Sequence, residues 1–223
     1  MRLQHLPKLG AFLFSFCLLA ALTAPAQAAT TTETKPKTNQ VFLPLMAIGG
    51  VAAPAPKTPT FEAFAASVTT GQADVVTGVY VADVLALSVA QQPLDNSAYI
   101  NPAPDVATQF QIAALFGVTG LLAHNSAAGA RFFDLAEGQE AQIIYGDGTV
   151  KRYHVSRIER FQALDPNSPS TDFVDLQTGA TLSTTDVFNQ VYTDAGTVVF
   201  QTCIANNGDS SWGRLFVVAE PVN

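Results

Sequence analysis

The chain has 223 residues, with 11 Lys+Arg against 18 Asp+Glu and a formal net charge of −7. That balance speaks against nucleic acid and anionic lipid as partners, since both are held through basic patches. Its length leaves room for one ordinary domain and a leader.

Arg2 and Lys8 precede an apolar run, Leu9 to Leu22, and the small-residue stretch Ala-Pro-Ala-Gln-Ala-Ala comes next. This is the pattern of a secretory signal peptide, residues 1–28, with cleavage expected after Ala28. The run of about 15 residues falls short of the roughly 20 that a membrane helix needs. An uncleaved anchor is the alternative, and only then would the chain have a membrane partner. Removing the segment leaves 9 basic residues against 18 acidic ones. The product is expected to be secreted or held at the cell surface.

Cysteine usage sharpens this picture. Cys17 leaves with the leader and Cys203 stays. Exported proteins permit disulfides, so their cysteines usually come in even numbers. A single one suggests either a reactive thiol or a buried apolar side chain.

Residues 29–40 are polar and Thr-rich, and Pro54, Pro56 and Pro59 interrupt the chain after the apolar patch of Val41 to Val51. The stretch 29–72 therefore reads as linker. From Ala73 the signal turns to β. Val75 to Val89, with Gly78 inside it, predicts one or two strands with a turn. Asp95 to Pro104 is a loop, and Gln109 to Leu122 fits helix or strand. Thr119 to Ala123 predicts a strand running into His124, and Ala127 to Leu135 a short helix.

Gln142 to Tyr145 and Val150 to Ile158 flank Gly146-Asp147-Gly148-Thr149, a hairpin signal. Strands are expected at Asp172 to Leu176, Val198 to Cys203 and Arg214 to Ala219, with a capped helix from Ser183 to Val191. Roughly six to eight short strands with little helix predict a mainly β fold over residues 73–223, a closed or nearly closed β-barrel with a few short helices. A two-sheet sandwich is the alternative.

Ten residues, Ile204 to Gly213, separate the last two strands and read as a long hairpin loop. Antiparallel pairing would set Cys203 opposite Arg214, about 5 Å apart at Cα. A guanidinium there favours thiolate and can donate to an oxyanion. Acyl chemistry at a thiol also needs a group that gives and takes a proton near neutral pH, a role suited to histidine. His124 and His154 remain after cleavage. His154 lies in the alternating run Lys151 to Arg157 and is expected on the surface, whereas His124 sits at the mouth of a strand.

These residues resemble the ordered landmarks of the sortases: Leu121-Leu122-Ala123-His124-Asn125, Phe132-Phe133-Asp134-Leu135, the Gly-Asp hairpin, Tyr153-His154-Val155, Thr202-Cys203, and Arg214-Leu215-Phe216-Val217-Val218-Ala219. The chain departs from that pattern at Ala123, at Asn125, after Cys203 and in the long stretch Leu164 to Val198. The resemblance implies a barrel that binds a sorting-motif peptide of exported proteins, usually of the Leu-Pro-x-Thr-Gly kind. It implies Cys203 as nucleophile, His124 as acid and base, and Arg214 as oxyanion and substrate holder. An amine on the cell envelope or on another protein would resolve the acyl-enzyme. No cofactor or metal enters that chemistry, and Asp165, Asp172, Asp175 and Asp186 are expected to be solvated surface rather than a calcium site. Another cysteine peptidase or hydrolase, and an inactive sortase-like binding domain at the cell surface, are the competing readings.

Overall fold

The computed structural model describes residues 58–168 and 170–222. The segment read as a signal peptide and most of the stretch read as linker lie outside them. Among the described residues no helix is long and apolar enough to cross a membrane.

The chain first forms helix α1 (Phe61–Val68), inside the stretch read as linker. Thr60 caps it, its hydroxyl accepting from Ala63 N at 3.3 Å. Phe64 and Val68 then pack on Ile144. Strand β1 (Val76–Val81) lies beneath. Gly78 makes this contact possible and is no turn residue, since a Cβ there would stand 2.8 Å from Val68 Cγ2. The turn falls at Asp83, which takes a left-handed φ of 59°. Strand β2 (Leu85–Gln91) comes after it, then β3 (Val106–Phe110), the short helix α2 (Gln111–Ala114) and β4 (Thr119–Leu122). The ambiguous run from Gln109 thus holds both helix and strand. A 3-10 helix (Ala128–Asp134) comes next.

Strands β5 (Glu140–Tyr145) and β6 (Val150–Ala163) form the expected hairpin. Beyond it come β7 (Phe173–Asp175), β8 (Thr181–Leu182), helix α3 (Thr184–Tyr192), β9 (Val198–Asn206) and β10 (Asp209–Pro221). Ser183 and Asp186 build a reciprocal capping box at the start of α3.

The sheet runs β10-β9-β4-β3-β2-β1-β5-β6 and closes through a β10–β6 pairing, with β7 and β8 continuing from β6. Eight strands therefore make a closed barrel, which is mainly β and carries few short helices, and the sandwich alternative falls. Pairing is parallel at β2–β3 and at β4–β9, and antiparallel elsewhere.

Alternation along β10 separates two apolar layers. Leu215, Val217 and Ala219 enter one cluster with Val79, Leu121 and Phe200, the barrel interior. Phe216 and Val218 enter another with Phe161, Phe173, Phe188 and Tyr192, the layer between the barrel wall and α3. Arg214 and Cys203 have the parity of that outer layer.

Candidate functional site

Cys203 and Arg214 are direct register partners in the β9–β10 ladder. On the other side of β10, Arg214 pairs with Phe161 of β6. The hairpin between them differs from the long loop expected. Strand β9 continues to Asn206, β10 begins at Asp209, and the turn is the two residues Asn207 and Gly208, with φ of 50° and 85°. Asn-Gly with both φ positive is the tight-hairpin signature, outweighing the polar composition around it. Two extra residues on β10 are absorbed between Asp209 and Gly213, since Asp209 pairs Asn206 while Gly213 pairs Ile204. The result is a bulge at Ser210–Trp212.

That bulge folds back on Arg214. Arg214 Nη1 donates to Ser211 O at 2.8 Å and to Gly213 O at 2.9 Å. The side chain is 2% exposed. Burial pulls its pKa down from the usual value to about 10, partly offset by the negative charge of Asp209, so the guanidinium is still cationic at neutral pH.

His124 reaches the same place from β4. In the parallel β4–β9 ladder the last pair is Leu122–Gln201, and His124 and Cys203 each follow it by two residues on their own chains. Two bonds extend the contact past the strand end: Ala123 N donates to Gln201 O at 3.2 Å, and Thr202 Oγ1 donates to Ala123 O at 2.8 Å. The chain then winds tightly, His124 O accepting from Ala127 N at 2.9 Å and Gly129 N at 3.0 Å. Gly129 is needed here, because a Cβ would stand 2.7 Å from Ala123 O and 2.8 Å from His124 O. Phe132 locks the 3-10 helix against Phe200 of β9, ring centroids 5.3 Å apart, while Phe133 stays on the surface.

Cys203 and Arg214 thus pair on β9 and β10, and His124 opens the turn that follows the neighbouring strand β4. His154 is exposed on β6, paired with Glu140 and Glu220, on a stretch of strand well removed from Phe161. Cys203 is 7% exposed and is disulfide-bonded in this structure.

Two contacts at the site give Tyr192 and Asn125 roles that the sequence did not assign to them. Tyr192, at the end of α3, donates its hydroxyl to Gln201 Oε1 at 2.5 Å, inside the buried layer two residues before Cys203. Complete burial pushes the Tyr192 phenol well above its ordinary pKa, which keeps it a donor. Asn125 Nδ2 donates to Ser210 O at 2.9 Å. The first joins α3 to the next strand nine residues on and the second joins segments 85 residues apart, and no local pattern announces either.

Elsewhere, a cleft of about 560 Å3 lies along residues 157–161 of β6, with Asp175, Gln177 and Gln190 on its walls. None of His124, Cys203 and Arg214 lines it. The aspartates considered for a cation do not gather: among the described residues no group of three or more His, Cys, Asp or Glu could hold a metal. Asp175 and Asp186 instead accept from the Thr178 and Ser183 hydroxyls, and their carboxyl pKa values are lowered by those bonds.

No family model matches the chain, and no curated protein matches it. Solved structures do. Sortase A of Listeria monocytogenes is 14% identical, with 67% of this chain and 89% of that one covered at a TM-score of 0.39. Sortase C-1 of Actinomyces oris is 14% identical, with 75% and 83% covered and a TM-score of 0.45. A sortase D5 transpeptidase of Clostridium perfringens is 13% identical, with 74% and 90% covered and a TM-score of 0.41. The likeness to these sortases is one of fold.

Proposed function

We propose that the exported, reduced chain is a cysteine transpeptidase of the sortase kind, acting through a thioacyl-enzyme at Cys203. The observation that carries the reading is backbone register: Arg214 pairs Cys203 across β9–β10, and the parallel β4–β9 ladder runs to Leu122–Gln201, two residues short of His124 on one strand and of Cys203 on the other.

Arg214 stabilises the Cys203 thiolate by charge, and the thiolate attacks a peptide carbonyl carbon of an extended sorting peptide. A tetrahedral oxyanion forms, for which the guanidinium is the nearby cationic donor. The C–N bond then breaks, with the His124 imidazolium delivering a proton to the departing amine. A thioester remains. An incoming amine gives its proton to the now neutral His124 and attacks the thioester carbonyl, and the S–C bond breaks to restore the thiolate.

The reaction requires Cys203 as a thiol, so the disulfide must be reduced before the chain can act. Export, cleavage after Ala28 and a cell-envelope or protein amine as acceptor belong to the same reading. Mass-spectrometric capture tests it: the exported, reduced protein is incubated with a panel of sorting-type peptides and glycine oligomers, and an acyl adduct on Cys203 is sought. Processing that survives Cys203→Ala would overturn the assignment.

A further inference from the structure

We propose that Asn125 is a positioning residue that couples His124 to Arg214 by holding the β10 bulge in place, an inference that rests on the transpeptidase reading above.

Bulges on a hairpin tip are compliant unless something fixes them. Here the tip residues 205–208 and Ser210 are exposed, yet Ser211, Gly213 and Arg214 are buried. Two bonds besides those from Arg214 Nη1 fix the bulge. Asp209 Oδ1 accepts from Ser211 N at 2.7 Å within the bulge itself. Asn125 Nδ2, from a segment 85 residues earlier, donates to Ser210 O at 2.9 Å. The adjacent carbonyl, Ser211 O, is the one that receives Arg214 Nη1 at 2.8 Å.

Asn125 is also the residue after His124, whose own carbonyl is pinned by Ala127 N and Gly129 N. A continuous connection therefore runs from the His124 backbone through the Asn125 amide, the Ser210–Ser211 backbone and the guanidinium. An amide suits this place because its NH2 group donates at every pH, so the link does not titrate with the site it serves. Among the described residues, the charged or titratable groups on the elements next to the cysteine include His124 on the turn after β4, Arg214 and Asp209 on β10, and Tyr192 on α3. Of these, His124 and Arg214 are joined through Asn125.

Alkylation of Cys203 by iodoacetamide reads the coupling without any knowledge of the peptide substrate, because the rate follows the thiolate fraction. The exported, reduced protein is followed by mass across the pH range in which thiols ionise. Asn125→Leu keeps the bulk and removes the donor, and Asn125→Ala removes both. Each should slow neutral-pH alkylation by roughly three- to tenfold, the scale of one hydrogen bond, and shift the profile to higher pH. In an Arg214→Gln background the same substitutions should change the rate by less than about twofold, because the group they position is gone. A merely structural contribution would persist there.

Wild-type profiles in both Asn125 variants, or an undiminished effect beside Arg214→Gln, overturn the coupling while leaving the transpeptidase reading standing. If neither Arg214→Gln nor His124→Gln alters the profile, the transpeptidase reading falls and the coupling falls with it. A measurement on the unsubstituted protein covers any loss of fold in the variants. The Asn125 side-chain amide and Arg214 Nη1 protons should show NMR cross-peaks to the Ser210–Ser211 backbone, and their absence overturns the coupling.

Discussion

Cys203 and Arg214 face each other across the β9–β10 ladder, and the guanidinium, though 2% exposed, is held by the carbonyls of Ser211 and Gly213. A fork held in this way has a fixed plane, and its replacement by a point charge is not conservative. Arg214→Ala is expected to cost about 2–4 kcal/mol of barrier in acyl transfer, and Arg214→Lys to recover little of it. Steady-state rates with any peptide found to acylate Cys203 check this.

The two histidines should separate cleanly. His124→Ala is expected to lower turnover by about a hundredfold or more, the usual scale for a lost general acid and base. His154→Ala should behave as wild type, because its side chain is exposed on β6 opposite Glu140 and Glu220. Equal losses in both variants would remove His124 from the mechanism.

Tyr192 and Gln201 give a stability test next to the site. Tyr192→Phe keeps the packed ring and leaves the buried Gln201 amide oxygen without its hydroxyl donor. About 1–3 kcal/mol of stability should be lost, read from the shift in urea midpoint at constant slope.

Gly129→Ala addresses the turn that carries His124. The new Cβ would press on the backbone oxygens of Ala123 and His124, which strand pairing and the 3-10 helix leave little freedom to move. A destabilisation of about 1–3 kcal/mol is expected, accompanied by slower Cys203 acylation. Acylation at the wild-type rate would show that the turn can adapt.

At the start of α3, the Ser183 hydroxyl and backbone N–H hold the Asp186 carboxyl below its usual pKa. Its folded value is depressed relative to the unfolded one, so the contribution is present above about pH 4 and is lost as pH falls through the folded value. The stability gap between wild type and Asp186→Ala should therefore be open at neutral pH and close on acidification. Urea titrations at several pH values measure it.

Much of the barrel is legible in the amino-acid sequence. Periodicity places the strands at Val198–Cys203 and Arg214–Ala219, the Gly146–Thr149 turn and the capped helix after Ser183, because side-chain alternation and capping are local properties of the chain. Antiparallel pairing of the last two strands comes from their adjacency, and with it the Cys203–Arg214 partnership. By contrast, helix α1 is hidden in a stretch that reads as linker, since its docking depends on Gly78 and Ile144, which belong to two other strands. The Asn207-Gly208 turn is masked by the polar residues around it.

The sequence by itself determined which residue types were on hand for thiol chemistry and which of them neighboured one another along a hairpin. Tertiary structure alone decided that β4 runs parallel to β9, so that the chain enters His124 just past the Leu122–Gln201 pair. It alone decided that β10 closes on β6, that α3 presses Tyr192 onto Gln201, and that Asn125 reaches Ser210. The physical reason is that parallel pairing, barrel closure and contacts between distant segments are selected by the packing of the whole chain, for which no local pattern of residues carries a signature.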